Sequence, residues 1–322
     1  MKLIIVNQNE AGQRLDKLLA KYLNKAPKSF FYKMLRKKNI TLNGKKAEGN
    51  EKLQVGDEIK LFLSEETIEG FTEEKKELRI QRAQLDIVYE DEHILLVNKP
   101  AGMLSQKAAP TDVSLVEHVI SYLLESGQLT GEELKSFRPG ICNRLDRNTS
   151  GLVAAGKSLA GLQAMNELFK VRTLHKYYHC IVAGTLSESQ RIEGWLWKEE
   201  KTNQVRIYQR EQKDSLPICT EYIPLQQLHL GGKPYTYLEV NLITGRSHQI
   251  RAHLASIGHP LIGDTKYGDM KVNDYFRKQY GLKYQLLHAY RLEFPALTGT
   301  LNRLSEQSFT APLPKQFQKI LK

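Results

Sequence analysis

The sequence has few cysteines and no long apolar run. Only three of its 322 residues are cysteine, and their wide spacing provides no C-x-x-C pair, so neither a disulfide framework nor a zinc knuckle is indicated. No stretch approaches the roughly 20 apolar residues of a membrane helix, and the first residues lack the apolar region of a signal peptide. We therefore expect a cytoplasmic protein with no membrane partner.

The glycine-rich loops that hold nucleotide phosphates are also absent. The sequence contains neither G-x-G-x-x-G nor a Walker motif, and we expect no nucleotide cofactor. His248 and His253 are five positions apart, which differs from the i, i+4 spacing of a helical zinc pair, and no cysteine or carboxylate accompanies them. We therefore expect no metal centre.

Positive charge is in excess, and most of it lies near the N-terminus. The formal net charge is +11, and residues 1–63 hold 14 Lys or Arg against 6 Asp or Glu. Clustered cations bind polyanions because they release counterions from phosphate groups. The charge distribution predicts a polyanionic partner that is held largely by the N-terminal segment.

The apolar pattern divides the chain into two folded units and a linker. Residues 1–63 predict two short helices and a few short strands, with an Asn-Gly turn at 43–44. Residues 64–84 are rich in Glu and lose apolar periodicity, which predicts a linker. Residues 85–322 predict an α+β domain around a largely antiparallel mixed sheet. Its predicted elements include a helix capped by Ser114 and Glu117 and strands at 94–98, 177–182, 194–197, 204–208, 218–222 and 237–242.

A polar loop at 141–151 is the first candidate site. It places Asp146 between Arg144 and Arg147, and neighbouring positive charge should keep this carboxylate ionised. An ionised carboxylate can act as a nucleophile or as an electrostatic anchor, although an isolated Asp between two Arg is more often a surface ion pair. A second polar cluster follows a strand at 244–253 and contains two Arg, two His and a Gln, which suits a polar or phosphorylated ligand.

Four sequence blocks occur in order along the second unit. They are Asn-Arg-Leu-Asp-Arg-Asn-Thr-Ser-Gly-Leu at 143–152, Lys-Tyr-Tyr at 176–178, Thr-Gly-Arg-Ser-His-Gln-Ile-Arg at 244–251 and Leu-His-Ala at 287–289, and Lys-Pro-Ala-Gly at 99–102 precedes them. Together these blocks resemble the RluA-type family of RNA pseudouridine synthases over roughly residues 85–321. The family's usual His before Arg-Leu-Asp is Asn143 in this chain.

Residues 1–63 contain Arg-Leu-Asp at 14–16 and Asn-Gly at 43–44. In these two motifs the segment resembles the S4-like RNA-binding module, whose usual Gly before the hairpin is Lys38 here. The resemblance implies that this unit binds RNA. The cations expected to do so are Arg14, Lys28, Lys33, Arg36, Lys37, Lys38 and Lys45.

The family resemblance implies an isomerisation of uridine in RNA without a cofactor. By carry-over, Asp146 is the catalytic carboxylate, whether it attacks the sugar, attacks the base or acts through an elimination. Arg246 would pair with Asp146, and Tyr178 would stack on the uracil, with Tyr177 as the competing candidate because only one of the two neighbours can face a cleft. The remaining residues expected to bind substrate are Arg144, Lys176, Ile250 and Arg251.

Family analogy further implies large-subunit ribosomal RNA as the substrate, and we expect a monomer. Three alternatives remain at this point: a synthase that acts on transfer RNA, a noncatalytic ribosome-assembly factor that retains the fold, and a hydrolase with Asp146 as its nucleophile. The joint presence of Asp146, Tyr178 and Arg246 disfavours the assembly factor. The hydrolase lacks a partner base in the Asp146 loop.

Overall fold

The structure is a computed structural model that describes residues 1–72, 84–199, 202 and 204–322. The described residues form two units, each with its own sheet and its own buried core. The elements of the N-terminal unit are β1 (Lys2–Ile5), α1 (Leu15–Tyr22), α2 (Lys28–Arg36), β2 (Ile40–Leu42), β3 (Lys45–Lys46), β4 (Glu58–Leu61) and α3 (Glu65–Phe71).

The N-terminal unit packs two amphipathic helices on a small antiparallel sheet. The strand order is β1-β4-β2-β3, and Leu15, Leu18 and Leu19 of α1 are completely buried because their spacing places them on one helical face. Asn43 and Gly44 both have positive φ, as a two-residue hairpin turn requires. The predicted helices and the predicted turn are confirmed.

Helix α3 is where the structure differs from the predicted linker at 64–84. Ser64 caps this helix through the backbone N–H of Thr67, and Phe71 packs on Phe30 with ring centroids 4.5 Å apart. Ile68 also packs against the N-terminal core. The prediction failed here because the Glu-rich composition concealed two apolar side chains at the i, i+3 spacing of a helix. Residues 73–83 of the predicted linker lie outside the described residues.

The second unit contains the remaining elements. They are β5 (Ile87–Glu90), β6 (Ile94–Lys99), α4 (Leu115–Glu125), α5 (Glu133–Ser136), β7 (Gly140–Ile141), β8 (Ser150–Gly156), α6 (Leu159–Val171), β9 (His175–Ala183), β10 (Gln190–Glu199), β11 (Gln204–Tyr208), β12 (Leu216–Leu230), β13 (Lys233–Asn241), α7 (Gln249–Ser256), α8 (Met270–Tyr280), β14 (Leu287–Glu293), a 3-10 helix (Gly299–Leu304), β15 (Ser308–Thr310) and α9 (Lys315–Leu321). None of the helices in the described parts of the chain is long and apolar enough to cross a membrane.

A large mixed sheet organises the second unit. Its main strand order is β11-β10-β12-β13-β9-β14-β8-β6-β5, with β15 beside β14 and β7 beside β8. The pair of β14 and β8 is parallel, and the other pairs among the described strands are antiparallel. The predicted α+β class and the largely antiparallel sheet are confirmed.

At β6 and β8 both faces of this sheet are buried, and neighbouring residues on a strand point to opposite sides. On β6, Leu95 and Val97 belong to the core beneath α4, whereas Ile94 and Leu96 belong to the core beneath α6. Ser114 and Glu117 form the predicted capping box of α4. The double burial makes the sheet a rigid platform for the loops at its strand ends.

Strand register brings the Asp146 loop beside β9. Tyr178 is opposite Ala289, and Ala289 is opposite Gly151 at the start of β8. The loop that precedes β8 therefore emerges next to Tyr178, although the two segments are distant in sequence.

Gly151 allows this close approach and yields the first testable prediction. Its φ is +113°, and a Cβ at this position would lie 2.2 Å from the Ala289 carbonyl oxygen. Gly151→Ala should lower the free energy of unfolding by at least about 2 kcal/mol, as measured by denaturant titration. Gly232→Ala is the matched control, since its φ is +73° and its surroundings are open. Equal losses in the two variants would contradict the proposed packing constraint.

Candidate active site

A large cleft lies at the ends of β8, β9 and β13 and has a volume of about 1200 Å³. Asp146 is the one carboxylate among the described residues that line it. Nine cationic side chains surround this acid: Lys107, Arg144, Arg147, Lys170, Arg172, Lys176, Lys198, Arg246 and Arg251. Such a concentration of positive charge in a concave surface attracts polyanions.

Asp146 is held by an arginine from helix α7. Nη1 of Arg251 donates to Oδ2 of Asp146 at 2.7 Å, and the side chains are 9% and 27% exposed. Oδ1 of Asp146 accepts no hydrogen bond from the described residues. The arrangement therefore fixes one carboxylate oxygen and leaves the other free to react.

Arg251 is itself fixed by a second carboxylate. Its Nε and Nη2 donate to Oδ2 and Oδ1 of Asp264 at 2.7 and 2.9 Å, and Asp264 is completely buried. Burial by itself would raise the pKa of Asp264, but the hydrogen bonds and the charge of Arg251 hold that pKa below its usual value. Burial acts to lower the pKa of Arg251, but the two carboxylates, Asp264 and Asp146, raise it above its usual value. The bidentate geometry aims the guanidinium at Asp146.

The expected pairing of Arg246 with Asp146 is wrong, because Arg251 makes this contact. Arg246 lies in the loop before α7, where its backbone N–H donates to Gln249. Its Nε is buried and has no hydrogen-bond partner among the described residues. Helix α7 begins at Gln249 and carries Arg251 in its first turn, so the helix brings Arg251 inward. From the sequence, Arg251 was expected only to bind substrate, and Asp264 was not predicted because no spacing rule links it to Asp146.

The two arginines that flank Asp146 in sequence do not pair with its side chain. Arg147 instead donates from Nε to the Gly102 carbonyl oxygen at 3.1 Å, and Arg144 is exposed on the wall of the cleft. Neighbours in an extended loop point in different directions, so adjacency in sequence does not create an ion pair. The ion-pair partner of Asp146 is Arg251 of α7.

Three side chains fix the backbone of the Asp146 loop: Asn143 from the loop itself, and Ser105 and Lys99 from other segments. The Ser105 hydroxyl donates to the carbonyl of Leu145 and accepts from its N–H, at 2.7 and 3.1 Å. The Asn143 amide donates to Leu152 O and accepts from Ala154 N–H, at 3.2 and 2.8 Å. Asn143 thus pairs with β8 as a peptide group would.

Lys99 supplies a third anchor from the end of β6. Its completely buried ammonium donates to the carbonyl oxygens of Pro100, Met103 and Arg147 at 3.0, 2.8 and 3.2 Å. Burial lowers the pKa of Lys99 to about 7, and the charge of Asp146 acts in the opposite direction. Three carbonyl acceptors match the three N–H groups of the charged form.

Tyr178 and Tyr177 lie on opposite faces of β9. Tyr178 lines the cleft with Ile250, whereas Tyr177 lies beneath the guanidinium of Arg291, 4.1 Å from the ring centroid. Burial, followed by the charge of Asp146, raises the pKa of Tyr178, so its hydroxyl stays protonated and can donate a hydrogen bond. Of the two tyrosines, Tyr178 is the one placed to meet a ligand beside Asp146.

His248 and Tyr267 form a further pair that sequence analysis did not assign. Nε2 of His248 lies 3.9 Å from Oδ2 of Asp146. The Tyr267 hydroxyl accepts from Val205 N–H at 3.0 Å and lies 2.9 Å from Nδ1 of His248. The hydroxyl hydrogen is then available to Nδ1, which places the proton of the neutral ring on Nε2, facing Asp146. Burial lowers the pKa of His248, while Asp146 acts to raise it.

The other histidine of this segment serves the packing of α7. Nδ1 of His253 lies 3.0 Å from the Thr220 hydroxyl, and burial lowers the pKa of His253 to about 4. His253 does not line the cleft, so the two histidines of the 244–253 cluster have separate environments.

The cations predicted to bind RNA all lie in the N-terminal unit and are exposed. Arg14 forms two hydrogen bonds with Asp16, at 3.1 and 2.9 Å, and Lys38 has a φ of 59°. The latter is the conformation that glycine adopts most easily, which accounts for the family's usual Gly at this position. The other exposed cations that were predicted to bind RNA are Lys28, Lys33, Arg36, Lys37 and Lys45.

The hydrogen-bond assignment predicts the tautomer of His248. In Tyr267→Phe, Nδ1 loses its donor, so the ring should become a mixture of tautomers, as seen by nitrogen-15 chemical shifts. His288 is an internal control, since Nε2 lies 3.2 Å from the Ala311 carbonyl oxygen and must carry the proton. A protonated Nδ1 of His248 in the unsubstituted protein would contradict the assignment.

Comparison with known proteins identifies the family. The family model of RNA pseudouridylate synthase matches residues 93–256, and the family model of the S4 domain matches residues 13–59. The ribosomal large subunit pseudouridine synthase C of Salmonella typhi is 29% identical over 100% of this chain and 96% of its own. The uncharacterized RNA pseudouridine synthase YlyB of Bacillus subtilis is 29% identical over 99% of this chain and 96% of its own.

Two solved human structures share the fold. Human RNA pseudouridylate synthase domain containing 4 superimposes with a TM-score of 0.58 at 21% identity, covering 73% of this chain and 91% of its own. Human RNA pseudouridylate synthase domain containing 1 has a TM-score of 0.53 at 21% identity, covering 74% and 93%. The chain belongs to the RNA pseudouridylate synthase family and carries an N-terminal S4 domain.

Proposed function

We propose that this RNA pseudouridine synthase modifies uridines of large-subunit ribosomal RNA, with Asp146 as its catalytic carboxylate. The observation that carries the proposal is the ion pair of Asp146 with Arg251 in a cleft that contains no other carboxylate among the described residues. The names of the full-length relatives support the choice of ribosomal RNA.

The reaction is an isomerisation that conserves every atom of the nucleotide. The bond between N1 of uracil and C1′ of ribose breaks, the base turns, and C5 forms a new bond to C1′. C5 loses its hydrogen and N1 gains one, so the reaction requires no net electron transfer. The protein has to hold the detached base, stabilise charge and move a proton.

Each group in the cleft has a role that follows from its position. Oδ1 of Asp146 is the oxygen presented to the target nucleotide, since Oδ2 is occupied by Arg251. Tyr178 lies against the uracil with its protonated hydroxyl, and Ile250 forms an apolar wall beside it. Arg144, which is exposed on the rim, helps to hold the target nucleotide out of its stack.

The N-terminal unit supplies a second RNA contact. Its exposed cations suit the phosphate backbone of structured RNA, while the cleft receives one unstacked nucleotide. Ribosomal RNA provides both features, and such a substrate places the protein in the cytoplasm. Two competing hypotheses differ from this proposal. A synthase specific for transfer RNA would convert transfer RNA alone, and a noncatalytic assembly factor would convert no RNA.

Loss of the carboxylate should separate chemistry from binding. With purified protein and large-subunit ribosomal RNA transcripts, Asp146→Asn should lower the conversion rate by at least about 1000-fold, while the affinity for the RNA is unchanged or slightly higher. Asp274→Asn is the matched control, because Asp274 is exposed on α8 and pairs with Arg277. Retained conversion in Asp146→Asn would refute the catalytic role. Conversion of transfer RNA transcripts alone would refute the ribosomal substrate.

Replacement of Arg251 by lysine should lower the catalytic rate as well as the stability of the protein. Lysine has a single ammonium and cannot reproduce the fork that joins two carboxylates, so Arg251→Lys should lower kcat by about 100-fold and stability by about 1–3 kcal/mol. Arg291→Lys is the control, because Arg291 also bridges two carboxylates, Glu239 and Glu293, at 3.2 and 2.9 Å. It should lose stability while keeping kcat. An equal fall of kcat in both variants would contradict a specific role for Arg251.

A further inference from the structure

Arg172 occupies a backbone position that favours glycine. It ends helix α6 with φ 62° and ψ 30°, and its N–H donates to the Leu168 carbonyl. Glycine is the usual residue at such a left-handed helix terminus because a side chain there is strained. Arg172 is nevertheless exposed and lines the cleft. Strained residues of this kind concentrate where function requires a particular side chain.

Lys176 is a buried cation that lines the same cleft without a counter-charge. It is 8% exposed, and its ammonium has no hydrogen bond or ion pair within the described residues. The backbone is fixed, because Leu242 N–H donates to the Lys176 carbonyl at 2.9 Å. Burial, followed by the charge of Arg172, lowers the pKa of Lys176. The two cations are therefore close enough to repel one another.

Two neighbouring positive charges without a counter-charge destabilise the folded protein unless a ligand brings negative charge. Lysine and arginine offer only donors, which suits phosphate oxygens. Lys176 and Tyr178 are two residues apart on β9, so their side chains share a face and start about 6.6 Å apart. An anion held by Lys176 would thus lie within about one nucleotide of a base held by Tyr178.

We infer that Arg172 and Lys176 form a subsite for one phosphodiester of the RNA strand that enters the cleft. The subsite rests on the proposed function, because the anion is assigned to the RNA substrate. An RNA strand is favoured over a free nucleotide since the cleft continues with further cations on other segments, including Lys107, Arg147 and Lys198. One subsite would hold the backbone on the α6 side while the neighbouring base reaches Asp146.

The test uses a set of short RNA oligonucleotides, each with a single uncharged methylphosphonate linkage at a different position. Binding to the full-length chain is measured for each, with Arg172→Gly, Lys176→Met and Lys278→Ala as variants. Arg172→Gly removes the charge and relieves the backbone strain, so its melting temperature should be unchanged or higher. Lys278→Ala is the charge-matched control on exposed helix α8.

At one position, the methylphosphonate linkage should weaken RNA binding by the unsubstituted protein and by Lys278→Ala. At the same position it should not weaken RNA binding by Arg172→Gly or Lys176→Met, because these variants have already lost the contact. Against fully charged RNA, each of these two variants should lower the slope of log affinity against log salt by about 0.7. If the same linkages weaken Arg172→Gly as strongly as the unsubstituted protein, the subsite is wrong. It is equally wrong if Arg172→Gly impairs the binding of uridine monophosphate but leaves oligonucleotide binding unaltered.

The conversion of uridine is measured in parallel with large-subunit ribosomal RNA transcripts. Absence of pseudouridine in these transcripts with the unsubstituted protein would refute the proposed function even if the linkage effect were found. A linkage effect that is missing in a protein that does convert uridine would refute only the subsite.

Discussion

The guanidinium of Arg251 joins two carboxylates that come from different parts of the chain. Asp264 accepts two of its N–H groups in a completely buried position, and Asp146 accepts a third at the surface of the cleft. Because the buried pair fixes the guanidinium plane, Asp146 is held at Oδ2 and keeps Oδ1 free. The chemistry of the cleft depends on this three-residue arrangement, since one exposed carboxylate in a strongly cationic cleft would otherwise pair with any nearby cation.

Backbone anchoring complements this electrostatic constraint. Ser105, Asn143 and Lys99 hold the loop at successive points, and the strand register brings β8 and β9 together through Ala289. The doubly buried sheet carries the loop, and the loop carries Asp146. A carboxylate that must meet one atom of a flexible RNA needs such preorganisation, because small displacements of reacting groups are costly in rate.

Local patterns in the sequence predicted most of the fold. The helices of the N-terminal unit, the capping box of α4 and the strands around Tyr178 follow from periodicity and capping, which act over a few residues. Helix α3 was missed because its two apolar residues lie within a Glu-rich segment. In the site, the family resemblance pointed to Asp146, and strand alternation restricted the cleft to one of Tyr177 and Tyr178. The partner of Asp146 was assigned to Arg246 instead of Arg251, and Asp264 was overlooked, because ion pairs between distant segments depend on how α7 packs on the sheet.

The most direct test of the account is a map of pseudouridine in cellular ribosomal and transfer RNA. The comparison is between cells with the intact protein, cells that lack it, and cells in which it carries Asp146→Asn. We predict that the same sites in large-subunit ribosomal RNA are lost in both altered strains. If no site changes, or if the sites persist with Asp146→Asn, then Asp146 is not the catalytic carboxylate of a uridine isomerisation in these cells.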